Sequence, residues 1–180
     1  SGDIFVAKYA ADGTHIWSRR FGSSAPEGVL GPPDATRAIA VDALGNVFLT
    51  GYFSGAVDFG GGTVTPASAD LFVVKYAGTD GAYLWATHFG GAGGHDVAVD
   101  ASGDIIVTGN FNGTINFGGA TLSSAGSADV FVLKLAGLDG AADPIRDAAG
   151  AGLIGLAEDD RELLAAVARH RIAGPHALLQ

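Results

Sequence analysis

The chain has 180 residues, enough for one ordinary domain or two small ones, and 48% of them are hydrophobic, which suffices for a core. A formal charge of -9 without a basic cluster argues against a nucleic-acid partner. The absence of cysteine excludes disulfides, thiolate zinc sites and a cysteine nucleophile, and no apolar run approaches the roughly 20 residues of a membrane span. The 29 glycines, set among β-branched and aromatic residues, favour many short strands joined by tight turns.

A strand pattern at the start of the chain recurs twice. Residues 3–9 match residues 70–76 and 129–135, each reading as Asp, an aliphatic residue, Phe, Val, an aliphatic residue, Lys and Tyr or Leu. The lysines alternate with apolar neighbours, which favours a structural role in which each pairs with an acidic residue of its own repeat. Such self-similarity predicts a repeat protein with a unit of about 60 residues.

The next elements in chain order complete one repeat. An Asp12-Gly13 turn leads to a strand with Trp17, and residues 23–34 form a Pro- and Gly-rich insertion that we expect to be a surface loop. A second motif, residues 40–53, returns without a gap as residues 98–111. The complete unit contains four predicted strands, at 36–42, 47–53, 70–76 and 82–89.

The turns between these strands contain Asp and Gly. Gly45 and Gly103 stand where a tight hairpin requires a positive φ, and the Asp-Gly pairs at 80–81 and 139–140 follow the same pattern. A calcium-binding loop is disfavoured here, because each turn offers too few oxygen ligands in too short a stretch. Four-stranded antiparallel units repeated in tandem suggest the blades of a β-propeller.

These residues resemble the SBBP repeats of secreted and surface proteins of bacteria, named for a proposed seven-bladed propeller. The resemblance covers residues 1 to about 140. It rests on the recurring Lys strand, on the Trp17 and Trp85 strands with the Phe-Gly that ends each, on the Ala-Val-Asp-Ala-x-Gly hairpin, and on residues 53–60. It implies an all-β fold, a partial β-propeller of about two four-stranded antiparallel blades. Residues 36–89 would form the full blade.

By analogy with propellers, residues 36–42 and 94–100 would be the innermost strands and the Trp strand the outermost. Arg37 and the pair His95 and Asp96 would then stand at the entry of inner strands beside the central channel, which makes them the candidate ligand-binding residues. The alternative is that they are ordinary polar residues of a loop, because a lone His-Asp pair lacks a nucleophile or further ligands.

The pattern lapses after residue 140. Pro144 stands where the repeat predicts Trp, and proline is poor in most strand positions. Residues 141–180 are predicted to form an Ala/Gly-rich linker and a helix at about 159–172, with acidic residues at its start and basic residues at its end. This helical tail could dock a partner or an exposed sheet edge, could rest on its own domain, or could be foreign to the propeller sequence.

The sequence therefore predicts a non-catalytic structural or interaction module, part of a larger secreted or cell-surface β-propeller protein. The alternative is a propeller enzyme or lectin-like carbohydrate-binding protein whose channel site forms only with all blades present. We expect a protein or glycan partner, no cofactor and no catalytic residue. We also expect self-association through uncovered blade edges, because two blades leave sheet faces and edges open.

Overall fold

The computed structural model describes residues 3–22, 34–119 and 121–140, and throughout these residues the fold is all-β. No helix occurs in the described part, and therefore none there is long and apolar enough to cross a membrane. The predicted linker and helix in 141–180 lie outside the described residues. The strands are β1 (Ile4–Tyr9), β2 (His15–Phe21), β3 (Ala35–Val41), β4 (Val47–Phe53), β5 (Val57–Asp58), β6 (Thr63–Val64), β7 (Asp70–Tyr76), β8 (Tyr83–Gly90), β9 (Ala92–Val99), β10 (Ile105–Phe111), β11 (Thr114–Asn116), β12 (Thr121–Ser123) and β13 (Asp129–Leu135).

The central sheet contains four antiparallel strands in the order β3-β4-β7-β8. They are the four strands predicted for the complete unit. The predictions for 47–53 and 70–76 agree with β4 and β7 at both ends, and those for β3 and β8 are displaced by one residue. Strand β3 ends before Asp42 because this residue opens the hairpin turn, with Asp42 and Asn46 closing it through a backbone hydrogen bond of 3.1 Å.

Two smaller sheets flank the central one. Strands β1 and β2 form an antiparallel pair, and β9, β10 and β13 form an antiparallel sheet in the order β13-β10-β9. By sequence, β1 and β13 correspond to β7, whereas β9 and β10 correspond to β3 and β4. Two short hairpins, β5-β6 and β11-β12, lie between the second and third strands of their units and were not predicted.

The hairpin turns have the chemistry that the sequence predicts. Gly45 and Gly103 adopt φ values of 79° and 85°, and one carboxylate oxygen of Asp42 accepts hydrogen bonds from the backbone N–H groups of Leu44 and Asn46. Asp100 makes the equivalent bonds one unit later. These aspartates therefore close turns with the oxygens that a cation would need.

Strand β7 shows how the sheets pack face to face. Its residues are almost all buried, because alternate side chains enter two different cores. Phe72, Val74 and Tyr76 join the cluster shared with β1 and β2, whereas Leu71 and Val73 join the cluster shared with the three-stranded sheet. Each neighbouring pair of sheets thus shares its own hydrophobic core.

Candidate functional site

The candidate residues Arg37 and His95 occupy equivalent β-bulges on β3 and β9. In β3, Thr36 pairs with Gly51 and Ala38 pairs with Thr50, so that Arg37 has no opposite residue. In β9, Gly94 pairs with Gly109 and Asp96 pairs with Thr108, so that the register skips His95. Both strands lie at the edge of their sheets. A bulge changes the direction of a side chain without ending the strand, and both side chains are exposed.

The expectation that His95 and Asp96 stand at the entry of a strand is wrong. Strand β9 begins at Ala92, two residues before the predicted start, and the pair lies in its middle. The pairing extends because Gly91 turns the chain with a φ of 76° and Ala92 then pairs with Phe111. The sequence did not predict this early start, because Gly93 and Gly94 have low β-propensity.

The structure adds Tyr52 to the candidate site. The guanidinium of Arg37 donates a hydrogen bond of 3.2 Å to the Tyr52 hydroxyl, and its central carbon lies 5.2 Å from the centre of the Tyr52 ring. The same ring lies beside β9, since a Cβ built on Gly93 would be 4.0 Å from the Tyr52 Cδ1. Tyr52 therefore bridges the bulged strand β3 and the neighbouring bulged strand β9.

An open cleft of about 270 Å³ adjoins Arg37. Its walls come from β1 and β3, with Phe5 and Ala7 on one side and Arg37 and Ile39 on the other. One polar atom near it, the Thr36 hydroxyl oxygen, is buried without a hydrogen-bond partner among the described residues. A guanidinium held against a tyrosine beside an apolar wall is suited to a carboxylate or a sugar hydroxyl, because arginine offers a planar set of donors.

His95 and Asp96 form the second half of the candidate site. Both are exposed, and a carboxylate oxygen of Asp96 accepts a hydrogen bond of 2.9 Å from the backbone N–H of Val97. The structure thus brings Arg37 and His95 to matching positions on two neighbouring edge strands. In the described part of the chain, no group of three or more His, Asp and Glu side chains is arranged to hold a metal ion.

Two of the three recurring lysines pair with an acidic residue of their own sheet, as the sequence predicts. The Lys75 ammonium lies 3.6 Å from a carboxylate oxygen of Asp42, and the Lys134 ammonium lies 2.9 Å from one of Asp100. Each pair joins a strand to a turn of the same sheet. Hydrogen bonding with Asp100 raises the pKa of Lys134 above its ordinary value.

The lysines also join neighbouring sheets, which the sequence did not reveal. Lys8 donates hydrogen bonds of 3.0 and 2.8 Å to the carbonyl oxygens of Gly45 and Gly78 in the central sheet. Lys75 donates one of 2.7 Å to the carbonyl oxygen of Gly137 in the three-stranded unit. The same joint therefore occurs twice along the chain.

A buried aspartate at the start of β7 is a second candidate for chemistry. Asp70 is 3% exposed, and its carboxylate lies 3.1 Å from Nδ1 of His88. At the equivalent place in the β1-β2 sheet, Asp3 pairs with Arg20 at 2.9 Å. Because arginine replaces histidine there without loss of the pair, we interpret the contact as a structural link between adjacent strands.

The sequence analysis did not identify Tyr52 as a candidate, although a comparison of the two repeats distinguishes its position. The residue stands one place before Phe53 in the recurring motif, and Asn110 occupies its place in the next unit. An aromatic residue in one repeat and an amide in the other mark a position that the core does not dictate.

No protein-family model matches the chain, and no curated protein sequence is significantly similar to it.

Proposed function

We propose that the chain is a non-catalytic structural and interaction module, part of a larger secreted or cell-surface β-propeller protein of the SBBP type. The observation that carries the proposal is the repeated joint between sheets. Lys8 binds a carbonyl oxygen in the turn after β7, and Lys75 binds one in the turn after β13. Sheets packed face to face and joined in a constant way are what a propeller requires of its blades.

The aromatic packing supports the same arrangement. Phe21, Phe59 and Phe72 meet between the first two sheets, with ring centres 5.3 Å apart for Phe21 and Phe59 and 5.0 Å apart for Phe59 and Phe72. Phe89, Phe117 and Phe131 repeat the trio one unit later, at 5.0 and 4.9 Å. Two successive units thus use equivalent residues for equivalent contacts, as blades of one array would.

The recurring polar residues support a structural role over a catalytic one. Lys75 and Lys134 bond to acidic residues or backbone carbonyls, and Asp42 and Asp100 accept hydrogen bonds from turn N–H groups. A general acid, base or nucleophile needs a polar group directed toward a substrate. Among the described residues, these recurring lysines and aspartates are directed toward one another or toward the backbone of the chain.

The second candidate function is a carbohydrate-binding or enzymatic propeller with a site at the inner strands. The specific observation in its favour is that Arg37 and His95 occupy matching bulges on neighbouring edge strands, with Tyr52 between those strands. In a closed ring of such sheets, one exposed polar side chain per blade would line the axis.

A binding experiment with matched variants separates the two functions. The immobilised chain is tested against a panel of bacterial surface glycans and for glycosidase turnover on the same panel. The double variant Arg37→Ala/His95→Ala is compared with His15→Ala/Arg20→Ala, which changes two exposed residues of strand β2.

We expect no turnover, and we expect both double variants to keep whatever glycan binding the wild-type chain has. Loss of binding in the Arg37/His95 variant alone would instead support the inner-strand site. Turnover by the wild-type chain would contradict the non-catalytic proposal. Surface proteolysis of a producing bacterium, followed by detection with an antibody, tests the proposed location.

A further inference from the structure

The turn between β10 and β11 contains the one Asn-Gly pair of the sequence, Asn112-Gly113. Both residues are exposed, and so is Thr114, which follows them. Gly113 adopts a φ of 72°, and a Cβ built on it would have no atom within 4 Å. The pair therefore lies in an open part of the surface, outside both hydrophobic clusters.

An Asn-Gly pair can modify itself with water as the only co-reactant. The backbone nitrogen of Gly113 attacks the carboxamide carbon of Asn112, so that a new C–N bond forms and ammonia leaves as the old one breaks. The proton lost by the Gly113 nitrogen is returned, through solvent, to the departing ammonia. Water then opens the succinimide ring at either carbonyl and leaves aspartate or isoaspartate at position 112. Glycine favours the ring closure because it has no Cβ to obstruct its nitrogen.

The three other asparagines of the chain are less disposed to this reaction. The carboxamide of Asn46 is held by two hydrogen bonds, of 2.8 and 3.1 Å, and that of Asn116 by one of 2.7 Å. Asn46, Asn110 and Asn116 are also followed by Val or Phe, whose side chains obstruct the ring closure. No hydrogen bond joins the Asn112 carboxamide to another described residue. Asn112 therefore combines a free carboxamide with a following glycine.

The fold restrains the reaction through Ser124. The Gly113 N–H donates a hydrogen bond of 2.9 Å to the Ser124 hydroxyl, and the Ser124 N–H donates one of 2.7 Å to the Gly113 carbonyl oxygen. The Gly113 nitrogen must leave the first bond before it can attack. Both bonds close the base of the β11-β12 hairpin, which has three residues in each strand. Opening so short a hairpin costs less free energy than global unfolding.

We propose that Asn112 is a modification site at which the chain deamidates spontaneously, and that the bond between Gly113 and Ser124 limits the rate. The proposal does not rest on the proposed function, because it requires no ligand, no further blade and no secretion.

The modification alters the connection between two sheets. The backbone N–H of Asn112 donates a hydrogen bond of 3.3 Å to the carbonyl oxygen of Gly91, in the turn that leads from β8 of the central sheet to β9 of the three-stranded sheet. Both products add a negative charge beside this bond, and isoaspartate also lengthens the backbone there by a methylene group.

The test follows deamidation of the full 180-residue chain at mildly alkaline pH, in buffer and in urea, by peptide mapping with mass spectrometry. In buffer we expect Asn112 to react faster than Asn46, Asn110 and Asn116 by about tenfold or more. Asn112→Gln keeps the amide but requires a larger ring, and it should remove the reaction at this position. In urea the wild-type rate at Asn112 should rise, because the bond to Ser124 is lost.

Two serine variants isolate the restraint. Ser124→Ala removes the hydroxyl and should raise the rate in buffer by about two- to tenfold, the range that the net free energy of one hydrogen bond gives. Ser123→Ala is the matched control, since this neighbouring side chain is exposed and makes no hydrogen bond with another described residue. It should react like the wild type, and in urea all three chains should react at one rate. Far-UV circular dichroism verifies the fold of both variants.

Two sets of outcomes would overturn the proposal. A rate at Asn112 in buffer that is no higher than at the other asparagines would contradict the modification site. Equal wild-type rates in buffer and in urea, or equal rates for Ser124→Ala and Ser123→Ala in buffer, would contradict the restraint by Ser124. The comparison of buffer with urea needs no variant, so it decides the matter even where Ser124→Ala does not fold.

Discussion

The indole of Trp17 lies directly against Gly81, so that a Cβ added to Gly81 would come within 2.7 Å of two ring carbons. Trp17 belongs to the first sheet and Gly81 to a turn of the central sheet, and Gly140 has the same relation to Trp85. The contact is fixed further by a hydrogen bond of 3.2 Å from the Trp17 Nε1–H to the carbonyl oxygen of Gly78. The Trp of one sheet thus packs against the Asp-Gly turn of the next sheet in both places.

Gly81→Ala should destabilise the protein by about 2–5 kcal/mol, because the left-handed φ of 68° and the clash with the ring add together. The free energy of unfolding, measured in urea, tests this. Gly13→Ala is the matched control, since Gly13 has a φ of 85° and nothing within 4 Å of an added Cβ. The free energy of unfolding of Gly13→Ala should fall by only about 1–2 kcal/mol, which is the cost of a left-handed backbone conformation for a residue with a side chain. Equal losses at both glycines would refute a role for the Trp17 contact.

Lys75→Met should destabilise the protein by about 1.5–3 kcal/mol, the range for hydrogen bonds to charged groups. The substitution removes the bond to Gly137 and the ion pair with Asp42 while keeping most of the apolar stem. Arg20→Met is the control, because its ion pair with Asp3 involves a largely exposed side chain and should contribute below about 1 kcal/mol. The free energies of unfolding of both variants, measured by chemical denaturation, give the comparison. Similar losses would count against a stabilising role for the bond between Lys75 and Gly137.

Stability should fall in acid because of the turn aspartates. Partial burial by itself would raise the pKa of Asp100, but hydrogen bonds from Lys134 and from the turn outweigh it and hold the pKa below its ordinary value. A carboxylate with a lowered folded-state pKa stabilises the fold above its unfolded pKa, and this stabilisation is lost as pH falls through the folded pKa. Burial by itself would also raise the pKa of Asp42, but hydrogen bonds with Asn46 and the charge of Lys75 outweigh it and lower this pKa as well.

The measurement is the thermal midpoint from neutral pH down to pH values below the ordinary carboxyl pKa. The wild-type midpoint should drop as the pH approaches the lowered pKa values, and Asp100→Asn should be less stable at neutral pH with a shallower acid dependence. An Asp100→Asn profile parallel to that of the wild type would mean that this carboxylate does not contribute.

The boundary at residue 140 stays a prediction that a truncation can test. The described hydrophobic clusters consist of residues between Ile4 and Leu135. We therefore expect a chain that ends at Gly140 to keep its β-type circular dichroism and to unfold within a few degrees of the full chain. A large loss of stability would place part of the core in 141–180 and refute the boundary.

The strands that sequence predicted best are those buried on both sides. Strands β4 and β7 carry Val, Phe and Leu in short uninterrupted runs, and the pattern gives both of their ends. Strand β9 begins with Ala92, Gly93 and Gly94, which have no intrinsic preference for a strand. There the partner strand β10 and the close approach of Thr50 to Gly94 impose the extended backbone. Tertiary contact overrode local propensity at that point.

The candidate site was predictable only in part. The equivalence of Arg37 and His95 follows from the repeat, but their projection from bulges does not, because a bulge shifts the register without a sequence signature of its own. The sequence has no signal for the contact of Arg37 with Tyr52 either. The lysine bonds to Gly78 and Gly137 were likewise hidden, since they join residues of different sheets.

Lys8 and Lys75 bind their neighbouring sheets through main-chain carbonyl oxygens, a group that every amino acid carries. The acceptor turn needs little more than small residues, as at Gly78, where a side chain would collide with the Gly45 carbonyl. The lysine bond therefore requires no matched side chain in the neighbouring unit. A duplicated unit would carry this half of the joint with it, and only its apolar and Trp contacts would have to match those of its new neighbour.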